Sequence, residues 1–256
     1  MSVTDTRLLI FVTISAMSSK SFLQEEKPDA RLSSAIPFVR VHDRIADIGT
    51  DHAKLPIYLV REGICPEALA TDINKGPLKR AEDDINRAGL SSHIKLLLTD
   101  GLEGVEPFHP DTILIFGMGG KLIARILGDA PWIKDPSLRL ILQPMTHDED
   151  LRSFLYTRGF EIMDELISYA SGKYYVTICA SFSGKNAVYG PEDVLLGALN
   201  GKTADASVRS WIEQKLKRTA KIIQELDAHG IQPEQDLLDK MQIYSKKLRK
   251  TQYDSP

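Results

Sequence analysis

Between residues 44 and 182 the chain alternates short unbroken apolar runs with longer stretches in which apolar residues recur every three or four positions. Such runs predict strands, and the stretches between them predict helices. The pattern places strands at 44–48, 68–73, 94–98, 112–116 and 138–143, and helices at 52–62, 75–88, 121–128 and 148–158. Pro56 falls in a first helical turn, where its missing N–H is tolerated, and Gly89 stands where a C′ residue would end a helix. Thr112-Ile113-Leu114-Ile115-Phe116 shows no polar alternation, the mark of a strand covered on both faces. Two further apolar stretches, 160–168 and 174–182, follow these helices and predict a closing pair of strands. Strands alternating with helices give an α/β class: a mostly parallel sheet with helices on both faces, ending in a hairpin.

The flanks read differently. Residues 31–38 form a short amphipathic segment broken by Pro37, and residues 18–30 are polar linker. The apolar stretch 8–17 is far too short to cross a bilayer, and Asp5 beside Arg7 removes the charge bias of a signal peptide, so residues 1–30 are expected to be a poorly ordered leader. Beyond Gly190-Pro191 and Gly201 the pattern predicts two helices. The first carries Val208, Trp211, Leu216, Ile223 and Leu226, with Asp205 as N-cap and Gly230 as stop. The second opens at Pro233 and repeats Leu237, Met241, Tyr244 and Leu248, a heptad-like seam suited to an antiparallel helical hairpin, in effect a short coiled coil. We therefore expect a leader at 1–30, an α/β domain at 31–188 and a C-terminal helical domain at 189–256.

Composition is that of an ordinary soluble globular chain, and the net charge of -3 provides no global field for a polyanion. A local basic patch would suffice for such a partner. Cys65 and Cys179 belong to no CxxC or Cys/His cluster, which argues against a disulfide framework and a structural metal site. They read as buried small hydrophobes in a reducing compartment, and the expected location is cytoplasmic. No membrane and no metal partner is expected, and a monomer is slightly favoured.

Three predicted strands end in acidic residues. Asp47-Ile48-Gly49-Thr50-Asp51 ends the first with a single glycine, whereas a dinucleotide fingerprint needs G-x-G-x-x-G to seat a pyrophosphate. A carboxylate there better suits a phosphate-free ligand with an amino-acid moiety, although any α/β glycine turn can produce the motif. Asp72 ends the second strand about 20 residues on, where a carboxylate accepts ribose hydroxyls; the alternative is a cap for the helix near Lys75. Asp100 ends the third, where it can meet an adenine amino group or simply begin an Asp-Gly turn. The succession carries more weight than any one of them.

Asp47-Ile48-Gly49-Thr50-Asp51-His52-Ala53-Lys54-Leu55-Pro56, Asp72-Ile73-Asn74-Lys75-Gly76-Pro77, Asp100-Gly101-Leu102, Gly117-Met118-Gly119-Gly120 and Leu140-Ile141-Leu142-Gln143-Pro144 together resemble the TrmK family. These are bacterial tRNA methyltransferases that methylate N1 of adenine 22 with S-adenosylmethionine. The resemblance runs from about Arg31 to the C-terminal helices, in the same order and spacing. It implies a Rossmann-like methyltransferase fold in which Asp47, Gly49 and Thr50 line the methionine part of the cofactor. It also implies Asp72 and Ile73 at the ribose and Asp100, Gly101 and Leu102 at the adenine. Gly117 would close the cofactor side, and Met118, Gly119, Gly120, Gln143 and Pro144 would face the target base. Lys54, Met145 and Val176 depart from the family pattern, which usually has tyrosine, asparagine and glutamate there.

N1 of neutral adenine has a free lone pair, so catalysis needs alignment, plus a means of handling the product cation. Asp51 is the candidate for that charge, oriented by His52; the alternative is a helix cap beside a packed histidine. An aromatic face for the base could come from Tyr174, Tyr175 or Phe116. Lys246, Lys247 and Arg249 in Lys246-Lys247-Leu248-Arg249-Lys250 are candidate tRNA contacts, in a tail with ten Lys/Arg against eight Asp/Glu over 205–256. Such a turn also complements a helix dipole. Arg31, Arg40 and Arg44 offer a second contact surface. Three other readings stand beside this one: an S-adenosylmethionine-dependent methyltransferase of another nucleic-acid or small-molecule substrate, an NAD-dependent oxidoreductase, and a non-catalytic RNA-binding relative.

Overall fold

A computed structural model describes residues 27–185 and 188–253 of the chain. Nearly all of the expected leader lies outside the described residues. The sheet has seven strands: β1 (Ile45–Ile48), β2 (Ala68–Asp72), β3 (Ile94–Leu98), β4 (Thr112–Met118), β5 (Arg139–Pro144), β6 (Phe160–Ala170) and β7 (Lys173–Phe182). Their order is β3-β2-β1-β4-β5-β7-β6. The first five are parallel, and β7 runs antiparallel to both β5 and β6. The dinucleotide fold places its strands 3-2-1-4-5-6; here an antiparallel strand is inserted between the fifth and sixth.

Every strand predicted from the apolar runs is present. The edge strands β3 and β6 are only partly buried, whereas the central β1, β4 and β5 are buried on both faces and so are written as nearly unbroken hydrophobic sequence. Within them, successive side chains serve opposite faces. Ile113, Ile115, Leu140 and Leu142 join one core cluster, whereas Leu114 and Ile141 join the other. The second cluster packs under α1 (Ala30–Ser33), α2 (Lys54–Arg61) and α3 (Lys75–Arg87). The first packs under α4 (Gly120–Gly128) and α5 (Asp148–Thr157). Cys65 and Cys179 are both buried, and burial pushes their thiols up to about 12 and about 11, which leaves them inert.

One helix was not foreseen. α6 (Pro191–Leu196) has proline at its first position, and Asp193 accepts the Gly190 N–H at 2.8 Å. A 3-10 segment, Gly197–Lys202, follows it. Gly190, Gly197 and Gly201 punctuate this stretch, and its helical turns are held by tertiary contacts with α5. The two predicted tail helices are α7 (Ala206–Ala228), capped by Asp205, and α8 (Gln235–Tyr253), and they pack against each other. Val208, Trp211, Ile212 and Tyr244 from them enter the first core cluster. No described helix is long and apolar enough to cross a membrane.

Candidate active site

Strand order reverses between β1 and β4, so a crevice opens where their carboxyl ends diverge, the usual ligand position in open α/β sheets. The β1 turn is held to β2: Gly49 and Thr50 donate their N–H groups to the Thr71 carbonyl at 2.9 and 2.7 Å. Gly49 has φ of +77°, a conformation side chains resist, and the end of the Met118 side chain covers the space where its Cβ would project. Asp47 is buried. Desolvation, and then the field of Asp72, push its carboxyl up to about 6 against a hydrogen bond from Thr50. A buried carboxylate so destabilised favours a cationic ligand group.

Asp72 accepts the Asn74 N–H at 2.7 Å. Asn74, not Asp72, occupies the N-cap position of α3, so the acid stands before the helix and keeps an oxygen for a ligand. Ile73 beside it is exposed. Asp100 is half-exposed and lies 3.9 Å from Arg125 of α4. Together with Gly101 and Leu102 it lines a cavity of about 590 Å³ that also reaches Ile126 and Trp132. Asp47, Asp72 and Asp100 thus stand in sheet order along one edge.

The second wall is the Gly117-Met118-Gly119-Gly120 turn, where β4 passes into α4. Gly117 has φ of +78°. A Cβ on Gly120 would lie 2.8 Å from the His147 carbonyl carbon and 3.0 Å from the Thr146 oxygen, closer than atoms can approach. Gly120 also donates its N–H to that Thr146 oxygen at 2.7 Å. Glycine is required here to dock the start of α4 on the segment after β5. Gln143 is fully buried behind the turn: its Oε1 accepts the Gly117 N–H at 3.2 Å, and its Nε2 donates to the Pro144 carbonyl at 2.9 Å.

Asp51 and His52 lie beside the β1 turn. The N-cap of α2 is Ala53, which donates to Thr50 Oγ1 at 3.1 Å, so Asp51 does not cap that helix. Asp51 pairs instead with Arg80 of α3, a partner 29 residues away that sequence reasoning missed. His52 Nε2 is 3.7 Å from Asp51, and its Nδ1 is 2.8 Å from Asp84. In the tail, Lys246 and Lys247 both approach Glu192 of α6, at 3.6 and 2.6 Å, while Arg249 is exposed. Val176 is buried in the first core cluster, far from a surface role, and Phe116 is buried as well. Met145 is exposed and within 3.8 Å of Gln143 Nε2; the rings of Tyr174 and Tyr169 meet in a tilted pair, 4.8 Å between centroids and 49° between planes. Arg40 pairs with Asp43, and Arg44 with Glu67, at the opposite edge of the sheet, whereas Arg31 reaches Gln143. Among the described residues no group of His, Cys, Asp and Glu is placed to hold a metal ion.

A methyltransferase domain family matches residues 29–178. The tRNA (adenine(22)-N(1))-methyltransferase of Bacillus subtilis (strain 168) is 32% identical over 230 residues, 86% of this chain and 97% of that protein. The chain belongs to the TrmK family. Its fold superposes on the B. subtilis M1A22 tRNA methyltransferase TrmK with a TM-score of 0.76 and 30% identity, covering 87% of this chain and all of the other. A Streptococcus pneumoniae protein described as a putative tRNA (m1A22) methyltransferase, in complex with S-adenosyl-L-methionine, gives 0.72 at 31% identity, with 85% and 98% covered. The donor set here fits the cofactor of this family. It offers a buried carboxylate for an ammonium, a carboxylate with a free oxygen for a ribose, and an acid lining a cavity large enough to admit a base, without the glycine-rich loop a pyrophosphate needs.

Proposed function

We propose that the protein transfers a methyl group from S-adenosylmethionine to N1 of adenine 22 in tRNA. The observation that carries this reading is the row of acidic strand ends along one wall of the crevice, facing the Gly117–Gly120 turn on the other. In this reading Asp47, Gly49 and Thr50 hold the amino-acid end of the cofactor, Asp72 and Ile73 the ribose, and Asp100, Gly101 and Leu102 the adenine. The bound cofactor supplies an electrophilic methyl group on a sulfonium. Gly117 and Met118 separate it from the target base, which Gly119, Gly120, Gln143 and Pro144 position; holding N1 in line is the main catalytic task. Asp51 takes up the charge that develops on the methylated base, and His52 supports it. In the present structure Arg80 neutralises Asp51, so that ion pair opens when the base is methylated. Lys246, Lys247 and Arg249 are candidate contacts for the body of the tRNA, the two lysines on release from Glu192. One chain supplies all these groups, so a monomer suffices, and a tRNA substrate with two buried thiols fits a cytoplasmic enzyme.

The test is transfer from tritiated cofactor to tRNA carrying adenine at position 22 and to the guanine-22 variant. Label is expected in the first alone, and Asp47→Ala is expected to abolish it. Equal labelling of both would sink the site assignment, and binding without transfer would favour a non-catalytic relative. Thermal stabilisation by S-adenosylhomocysteine and not by NAD separates the oxidoreductase class.

A further inference from the structure

The segment just before the α/β domain docks directly on the site. Its α1 helix is fixed by a 2.5 Å hydrogen bond between the hydroxyls of Ser34 and Thr177, and Ala35, Phe38 and Val39 enter the second core cluster. This anchoring aims Arg31 at the carboxyl edge of the sheet. Arg31 Nη1 donates to Gln143 Oε1 at 3.0 Å, the same oxygen that accepts the Gly117 N–H. Two N–H groups converging on one oxygen fix the orientation of the Gln143 amide, and with it the backbone of the β4 turn. The guanidinium also lies against that turn, with Nη1 3.6 Å from where a Cβ on Gly117 would project.

A guanidinium carries five N–H donors, and the hydrogen bond to Gln143 uses one of them. Among the described residues no carboxylate lies within ion-pair distance of Arg31. Three cations near this edge are engaged: Arg80 with Asp51, Arg125 with Asp100 at 3.9 Å, and Lys121 with Asp150 at 3.7 Å. A protein of net charge -3 with three acidic strand ends around its site repels a polyanion unless a local cation faces it.

We propose that Arg31 is a positioning residue that joins the RNA backbone to the base pocket. One N–H holds Gln143 and the Gly117 turn, while the remaining N–H groups take a phosphate of the strand that delivers the target nucleotide. The proposal rests on the reading of the substrate as RNA. Arginine suits this double duty because its planar fork makes charge-assisted bonds to phosphate while one N–H stays committed elsewhere; a lysine ammonium is a point charge.

The experiment compares the full-length protein with Arg31→Ala and Arg31→Lys in tRNA affinity across a salt series, in methyl-transfer kcat and KM, and in S-adenosylhomocysteine affinity. Arg31→Ala is expected to weaken tRNA binding about tenfold and to reduce the salt slope by about one, the signature of one lost phosphate contact. Its kcat also falls, because the turn loses its brace, while S-adenosylhomocysteine affinity is unchanged. Arg31→Lys keeps the salt slope and loses kcat. Should the alanine variant fail to fold, Arg31→Gln removes the charge, keeps a donor, and gives the same readout. Wild-type tRNA affinity and salt slope in an uncharged variant would overturn the proposal and leave Arg31 a structural brace. If the unaltered protein neither binds nor methylates tRNA, the substrate reading itself falls, and Arg31's role falls with it.

Discussion

Asp47 links ligand binding to pH at the scale of one residue. Its carboxyl is raised from 3.8 to about 6, chiefly by burial. A raised carboxyl contributes stability that is complete below its unfolded value and is lost as pH rises through about 6. The ligand sees the opposite dependence, because an ammonium needs the ionised form, so affinity for S-adenosylhomocysteine should increase as pH rises through about 6. Calorimetric titration between about pH 5 and pH 8 checks this, and a flat profile would show that Asp47 does not meet the ammonium. Asp47→Asn should bind weakly with little pH dependence, yet melt no lower than the wild type at neutral pH, since it relieves a buried charge. The acidic strand ends were legible in the sequence because each closes an apolar run. Their partners were not: Arg31 and Gln143 are 112 residues apart, and only folding brings such pairs together.

Among the elements, the junction of α5, β6 and the tail is the place where charge is buried most deeply. Arg152 is fully buried, bonded to Glu165 Oε1 and Asp148 Oδ2, both at 2.8 Å, and to the carbonyls of Val194 and Leu195 at 3.3 Å. Asp148 also pairs with Lys215 of α7, and it is held below its usual value by Lys215 and Arg152 against desolvation. Its contribution to stability is therefore present above about pH 4 and lost as the solution is acidified further. Glu165 is pushed up by burial, against the pull of Arg152. Removing one member of such a group strands the others, so Arg152→Ala should cost about 3–5 kcal/mol in denaturant unfolding. Adding Glu165→Gln to that variant should recover part of the loss; no recovery would mean that Arg152 acts by packing alone. The same junction explains why α6 escaped the sequence pattern. Arg152 holds the carbonyls at its end, and a six-residue helix has too few turns to show a period.

For the whole molecule, the question is whether the tail from residue 189 is a domain of its own. Sequence periodicity suggested a boundary, since the strand–helix alternation ends at Phe182 and a heptad-like seam begins after it. The packing argues for a continuous interior. Leu195, Leu196, Leu199, Val208, Trp211 and Ile212 lie in the core cluster that also holds Leu151, Leu155, Phe160 and Val176. Trp211 lies within cation–π distance of both Arg152 and Lys215, at 5.7 and 5.3 Å. Val176 shows the consequence, because this strand residue, which stands where the family usually has glutamate, is buried in that core, 3% exposed. Cutting the chain after residue 188 would uncover one face of β6 and β7 and leave Arg152 and Asp148 without their tail partners. We therefore expect residues 1–188 to aggregate or bind a hydrophobic dye and to show no cooperative melt. A cut after residue 230, which removes α8 but spares α7, should leave a folded protein of lower melting temperature that still binds S-adenosylhomocysteine, because every cofactor residue lies before Met118. A soluble 1–188 fragment with wild-type S-adenosylhomocysteine affinity would instead make the tail an independent appendage, and tRNA contact its separable task.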